Sequence, residues 1–565
     1  MVDFLISFNE KNSEFKFISE PIFIVEINNG SVILKLWGDP IGVNDLKLSD
    51  STTAKEIIEK VKGHFYYVLW NKDKKEFSIG NSVFSILPLY YSYSPEHIYF
   101  SNSPVALAKK VSAKEISKRF ILENVLFNYQ LFDHSCISGI KLLPTNHCFH
   151  IRDGKTEKQE LFRIEDHFVS DPKPWKENIN ELTDQFLTHV QRYFPNESYL
   201  VSLTGGFDGR TLAACSHYHK KKFKTFSFGT AHSSDIKIPT EIAKKAGIEY
   251  SSLILDKNYI SKESFNKGKE FIINSNGCAG FSRAHYAYAV NELKDRSRYW
   301  ITGNFGSELF RAAHVTGVMI SQNLYELFNT QQYNEAITKI ENSKEWEALN
   351  RNEFEKEWEE LKEDIKRLPC FDPEFSRYSK NQRFYIFVFN EVFRKYFGTE
   401  MVNQYRSVIN RTPFLDLTFI KSLLKTDAAA VYSDFFEHKP IKRFKGQVMY
   451  AHIIKKTFPQ LGRFATDKGY KPDDLLSTPG KLSILTQFIK KKVKSNPETD
   501  NYAVRAAFEN NRTLFEEEVS DHPYFNSSFI IEGLKNNYRN RDSFFIALSQ
   551  LWWLNYLNKE HGFKN

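Results

Sequence analysis

Short apolar or alternating runs at 22–27, 31–36, 65–70, 76–79 and 97–100, separated by turn-forming residues, predict a first region built on β-strands. Over 106–128 the period lengthens to a helical one. The run from Leu142 to Ile151 then leads into the turn Arg152-Asp153-Gly154, which places a domain boundary at 155–175. Beyond it the pattern changes. An amphipathic helix over 176–194 precedes an apolar strand at 199–203, a glycine turn and a helix at 210–218. A strand at 226–228, a helix at 239–246 ended by Gly247 and a strand at 299–302 continue the alternation, which predicts a parallel sheet with helices on its faces. Phe354, Trp358, Leu361, Ile365 and Leu368 fall at helical spacing in a charged background and read as packing rather than a binding face. The remainder is mainly helical, and there is no internal repeat.

The length of 565 residues predicts two or more domains. With 41% hydrophobic and 26% charged residues, and with 50 Phe and 28 Tyr for core material, the chain reads as soluble and globular. The net charge of +8 adds little, because the compact basic runs at 219–224 and 490–494 lack the aromatic repeat of a nucleic-acid surface and read as solvated helix ends. Five cysteines without a CxxC pair or Cys/His metal spacing suit a reducing compartment and do not call for zinc. With neither a signal-peptide pattern at the start nor an apolar run of membrane-spanning length, a cytoplasmic protein with no membrane partner is expected.

The candidate chemistry lies at Leu203-Thr204-Gly205-Gly206-Phe207-Asp208. A strand emptying through glycines into a helix presents backbone N–H groups and the positive end of the helix dipole to an anion such as pyrophosphate. A carboxylate beside phosphate repels it, so Asp208 is expected to hold a magnesium ion, which takes oxygen ligands and bridges phosphates. A Gly-Gly turn of this kind is also ordinary structure.

Several stretches in the same order resemble the asparagine synthetase family, whose adenylating domain carries a Ser-Gly-Gly-x-Asp-Ser loop. Thr225-Phe226-Ser227-Phe228-Gly229 looks like its strand beside the adenine pocket, and Asp235 to Gly247 like the helix that follows. Ile301-Thr302-Gly303-Asn304-Phe305-Gly306-Ser307-Glu308 resembles its Ser-Gly-Glu-Gly-Ser-Asp-Glu segment. Arg411-Thr412-Pro413-Phe414-Leu415-Asp416 is similar to its Arg-Val-Pro-Phe-Leu-Asp, and Lys468-Gly469-Tyr470 to its Lys-x-Gly-Phe. The resemblance implies an α/β protein. A degenerate glutaminase-like domain over 1–165, an Ntn-hydrolase-like α+β sandwich, would precede a PP-loop (adenine nucleotide α-hydrolase-like) parallel-sheet domain over 172–565, with a helical insertion at about 320–400 and a helical C-terminus. It implies ATP and Mg2+ as cofactors. Leu203, Thr204, Gly205, Gly206, Asp208, Phe228 and Gly303 would hold the nucleotide, and Asp208 and Glu308 the metal. Lys468, Glu308 and Arg210 are the catalytic candidates. Cys278, His285 and Tyr286 precede the strand at 299–302, where the family places residues near the acyl substrate.

The departures bear on mechanism. Gly209-Arg210 replaces the end of the loop motif, so Arg210 either grips phosphate or is a surface residue on the first turn. Asn304 stands where the family has Glu, and Ser307 where it has a second metal-binding Asp. Glu308 is then the nearest substitute carboxylate or a structural helix-start residue, and Lys468 either stabilises developing charge or is solvated. In the first domain, Gly63-His64-Phe65 through Trp70-Asn71, Leu87-Pro88-Leu89-Tyr90-Tyr91 and Leu142-Leu143-Pro144-Thr145-Asn146-His147 look like glutaminase segments. The family's nucleophile is a cysteine at position 2, however, and here that position is Val2, while Gly80-Asn81 replaces an Arg-Asp pair.

Glutamine hydrolysis is therefore expected to be lost, and the reading becomes an amide-forming ligase similar to β-lactam synthetase and lasso-peptide cyclase. It would adenylate a small-molecule or peptide carboxylate and join it to an amine. A precursor peptide, a partner protein or a second copy of the chain are the candidate partners, and no nucleic acid is expected. The alternatives are a decayed binding or scaffold protein and ammonia-dependent asparagine synthesis.

Overall fold

A computed structural model describes all residues except 1–2, 12–13, 23, 311–318, 434, 437–439, 494–499, 536–540 and 565. The first region forms two antiparallel sheets. In the five-stranded sheet, Leu5–Asn9 lies between Glu14–Ser19 and His97–Ser101, followed outward by Tyr90–Tyr93 and Lys141–Leu142. In the six-stranded sheet the order is Lys155–Glu160, His147–Arg152, Glu76–Asn81, Phe65–Asn71, Val32–Gly38 and Ile24–Asn28. Alternation along Leu5–Asn9 turns Ile6 and Phe8 inward, and the sheets meet through aromatic pairs such as Phe8–Phe77 at 4.7 Å and Phe100–Phe149 at 5.1 Å. Each such ring, fully buried, contributes roughly 2–3 kcal/mol.

One edge of this sandwich falls within the segment 155–175 that the sequence marks as the boundary. Lys155–Glu160 pairs antiparallel with His147–Arg152, so the linking segment begins after Glu160. Its sequence Lys-Thr-Glu-Lys-Gln-Glu has no apolar alternation to reveal a strand. A charged edge of this kind also discourages pairing with another chain.

The second region contains a five-stranded sheet, wholly parallel, in the spatial order Tyr250–Ile254, Phe223–Gly229, Tyr199–Ser202, Tyr299–Ile301 and Ile409–Arg411. The chain is thus mixed α/β, with antiparallel sheets first and a parallel sheet later. Numbered along the sequence, the parallel order is 3-2-1-4-5. The direction of winding reverses between Tyr199–Ser202 and Tyr299–Ile301, where the loops leaving adjacent strands diverge and open a crevice. A largely helical connection, including Gln322–Asn329, Tyr333–Glu341, Glu355–Ile365 and Lys380–Phe387, joins the fourth strand to the fifth. Trp358, Leu361 and Ile365 bury the apolar stripe of its third helix.

The helix expected from residue 239 begins five residues earlier, at Ser234. Pro239 lies inside it and cannot donate to the carbonyl four residues back, which belongs to Asp235. The Ser227 hydroxyl fills that vacancy at 2.5 Å. A proline that would otherwise cost the helix a bond instead ties Asp235 to the neighbouring strand.

The two regions are joined by a two-pronged ion pair from Arg411 to Asp39, at 2.8 and 2.9 Å, and by a 2.8 Å hydrogen bond between His64 Nε2 and Thr412. No helix of the described residues is long and apolar enough to cross a membrane.

Candidate functional site

The loop 203–208 leaves the central strand Tyr199–Ser202 and enters the helix Asp208–Tyr218. Leu203 is buried, and its N–H donates to Phe226 C=O at 2.8 Å, extending the sheet into the loop. Gly206 N–H donates to the Thr204 hydroxyl at 3.3 Å, a local turn that fixes the glycine pair. No side chain caps the helix, whose N-cap is Phe207, and its ladder begins with Thr211 N–H to Phe207 C=O. The first-turn amides therefore lie outside the helical ladder and face the loop. Gly209 is required here, since a Cβ would sit 1.9 Å from the Ser202 carbonyl oxygen.

The second loop, after Tyr299–Ile301, closes against Asp208. A Cβ on Gly303 would lie 2.4 Å from Asp208 Cβ, so only glycine permits the approach. Ser307 Oγ donates to Asp208 Oδ2 at 3.1 Å, and the Tyr450 hydroxyl donates to Oδ1. Phe305 takes a left-handed φ of 73° while its ring is buried against Phe393 and Phe397. Strain of this kind in a non-glycine residue concentrates at functional sites. The Asn304 side chain is shielded from solvent and lies beside the Glu400 carboxyl. Glu308, on the short helix Gly306–Phe310, is buried.

Lys468 reaches the site through its neighbours. Asp467 N–H donates to Gly205 C=O at 3.0 Å, and the turn is closed by Gly469 N–H to Thr466 C=O at 2.8 Å. Tyr470 is buried against Phe207. Arg210 has neither place allowed by the sequence. It is fully buried, and it donates to the carbonyls of Phe464 at 2.7 Å and Ala465 at 3.1 Å. Burial lowers its pKa to about 10, partly offset by Asp467. Arg210 therefore braces the segment leading to Lys468, with its donors turned to main-chain carbonyls.

Asp235 completes the first loop by accepting Gly205 N–H at 3.0 Å and the Tyr502 hydroxyl at 2.9 Å. Burial raises its pKa, against the pull of these two donors. Phe228, at the end of its strand, packs near His285, Tyr286 and Tyr502. Behind them is Glu400, a buried carboxyl with Arg283, Asn304 and Tyr286 beside it, which accepts from Gln404 at 2.9 Å. Burial raises its pKa too, and Arg283 opposes the shift.

In the sequence, Asp235 is recognisable only as part of a helix, and nothing local marks Tyr450, Tyr502 or Glu400.

This arrangement suits a nucleoside polyphosphate. The first-turn amides of the uncapped helix lie outside its ladder, and phosphate oxygens can accept from them. Among the described residues no group of three or more His, Cys, Asp or Glu side chains is placed to hold a metal. The Asp208 carboxylate, backed by two hydroxyl donors, fits magnesium of the kind held mainly by phosphate oxygens and one or two carboxylates.

In the first region, a Cβ on Gly80 would lie 2.7 Å from the Tyr67 hydroxyl, and Asn81 is spent on Leu87 C=O at 2.7 Å and Ser85 at 2.9 Å. These are structural roles. Val2 lies outside the described residues.

Residues 48–162 match the glutamine amidotransferase domain family. The chain is 25% identical over 206 residues to asparagine synthetase [glutamine-hydrolyzing] 1 of Bacillus subtilis (strain 168), a match covering 36% of this chain and 32% of that protein. The chain thus spans about a third of the length of the curated relative it matches. A solved structure of glutamine phosphoribosylpyrophosphate amidotransferase from B. subtilis, complexed with ADP and GMP, shares 9% identity and covers 42% of this chain and 50% of its own. Its TM-score is 0.16.

Proposed function

We propose that the chain is an ATP-dependent ligase that activates a carboxylic acid as its acyl-adenylate, releasing pyrophosphate, and passes the acyl group to an amine without using glutamine. The observation that carries this reading is the meeting of three segments at the winding reversal of the parallel sheet. They are the uncapped glycine loop 203–208, the second loop through Gly303 and Ser307, and the 467–468 segment bonded to Gly205. The similarity to an asparagine synthetase supports a ligase, and the amidotransferase match supports the ancestry of the first region.

In this reading the uncapped first-turn amides of the helix Asp208–Tyr218 receive the β- and γ-phosphates, and Phe228 borders the base. Lys468 faces the α-phosphate, where charge grows as a carboxylate oxygen bonds to phosphorus and the bond to pyrophosphate breaks. A fixed cation in a site shielded from water is worth several kcal/mol there. Magnesium bound at Asp208, with Glu308 as the next carboxylate, would neutralise the phosphates. In the second step the amine nitrogen bonds to the acyl carbon, AMP leaves, and the amine loses a proton. Glu400, with its raised pKa, is the buried carboxylate suited to accept that proton.

A second reading has one observation in its favour. Ser307 satisfies Asp208 with a hydroxyl, so the site is internally paired without metal, as in a protein that kept the fold and lost the reaction. ATP–pyrophosphate exchange over a panel of carboxylic acids separates the two. Acid-dependent exchange supports the ligase, and none with any acid supports the scaffold.

A further inference from the structure

The two glycine amides of the loop are spent within the protein. Gly205 N–H donates to Asp235 Oδ1 at 3.0 Å, and Gly206 N–H donates to the Thr204 hydroxyl at 3.3 Å. Gly205 C=O in turn accepts from Asp467 N–H at 3.0 Å. Gly205 is thus pinned through both of its main-chain polar groups, and it sets the direction in which the chain enters the helix Asp208–Tyr218. Its anchor is itself held, because Asp235 Oδ2 accepts from the Tyr502 hydroxyl at 2.9 Å.

We propose that Tyr502 is a positioning residue for the nucleotide: through Asp235 it fixes Gly205, and with it the first-turn amides that receive the β- and γ-phosphates. The proposal rests on the ligase reading above. It gives the C-terminal segment a part in nucleotide binding that the resembling motifs, which end at Tyr470, do not contain.

The segment around Tyr502 is fixed from several sides. Ala503 is buried and takes a left-handed φ of 53°, a strained conformation for a residue with a side chain, which persists only where the surroundings impose it. On one side Thr230 N–H donates to Asn501 C=O at 2.9 Å. On the other, Asp500 caps the helix Val504–Asn510, accepting from Val504 N–H at 2.8 Å and Ala506 N–H at 3.0 Å. The far end of that helix is tied back by Asn511 Nδ2, which donates to Ile260 C=O at 2.7 Å and to the Ser264 hydroxyl at 3.1 Å. The Tyr502 ring stacks on buried His285 at 4.7 Å and 11°. A hydroxyl placed so firmly orients the carboxylate it meets. The orientation matters electrostatically. A carboxylate turned toward the phosphates would repel them, whereas one engaged by Tyr502 and Gly205 faces its own donors.

The test is calorimetric titration of the full chain with Mg-ATP and with AMP, in the parent, Tyr502→Phe, Asp235→Ala and the double variant. Tyr502→Phe keeps the ring and its stack and removes only the hydroxyl. It should weaken ATP binding about tenfold, the order of one hydrogen bond to a charged group, while AMP affinity changes far less. Because Tyr502 acts through Asp235, the double variant should bind ATP no worse than Asp235→Ala alone. A tyrosine that only packs would give equal losses for ATP and AMP. That result, unchanged ATP affinity in Tyr502→Phe, or additive losses in the double variant overturns the proposal and leaves the ligase reading standing. Should Asp235→Ala not fold, the comparison of ATP with AMP in Tyr502→Phe decides. No ATP binding by the parent overturns the ligase reading and the proposal together.

Discussion

Ser307 donates its hydroxyl to Asp208 at 3.1 Å, fastening the loop after the fourth strand of the parallel sheet to the helix that follows the central one. Replacing Ser307 with aspartate sets two carboxylates in contact, which repel one another unless a cation lies between them. Ser307→Asp should therefore melt several degrees below the parent in chelator and recover in magnesium, while the parent changes little. Identical melting of the variant in both conditions would mean that no cation site forms at Asp208.

Arg210 links the loop helix to the segment leading to Lys468 through the Phe464 and Ala465 carbonyls. Arg210→Met keeps the apolar bulk but removes the charged donor from two part-buried carbonyls, at a cost of about 1–2 kcal/mol. Lys468→Met should leave stability within about 0.5 kcal/mol, as partly exposed positions usually do, and lower ATP affinity. Denaturant unfolding and nucleotide titration of the two variants check this. A stable Arg210→Met with full ATP affinity would remove Arg210 from the account.

His64 is buried at the junction of the two regions, and burial pushes its pKa from 6.5 down to about 4. Between those values the unfolded chain binds a proton that the folded one does not. Stability is therefore intact above pH 6.5 and falls as pH drops towards 4, by about 1.4 kcal/mol per pH unit from this group. His64→Asn should make the acid side of the melting profile shallower by about one proton. An unchanged slope would contradict the burial of a neutral imidazole there.

Of the five cysteines, four are buried and Cys278 is half-buried in the wall of a cavity of about 610 Å3, its thiol pushed up to about 11 by burial. Iodoacetamide should label Cys278 first, slowly at neutral pH, at a rate rising about tenfold per pH unit and still climbing at pH 9, because the thiolate is the reactive form. Peptide mapping reads the site. First labelling at Cys136, Cys148, Cys215 or Cys370, or a plateau by pH 9, would contradict the geometry.

The loop at 203–208 was legible because strand, glycine turn and helix are consecutive, and five strands of the sandwich were legible as apolar or alternating runs, whereas Leu5–Asn9, Glu14–Ser19 and Tyr90–Tyr93 were not read as strands. Nor was Lys155–Glu160, since an edge strand facing water carries no apolar face. The partners of the loop were hidden for a different reason. Tyr450 lies 242 residues from Asp208, and Tyr502 lies 267 from Asp235, so only the folded chain brings them together. Arg210 looked like a ligand or a surface residue because its sequence neighbours do not reveal the 461–465 segment packed over it.

Direct titration of the protein with Mg-ATP and with AMP tests the central claim that the loops at the winding reversal hold a triphosphate. ATP should bind more tightly than AMP, and Lys468→Met should weaken ATP binding by tenfold or more while changing AMP affinity far less. No ATP binding, or equal affinity for ATP and AMP in both proteins, would contradict it.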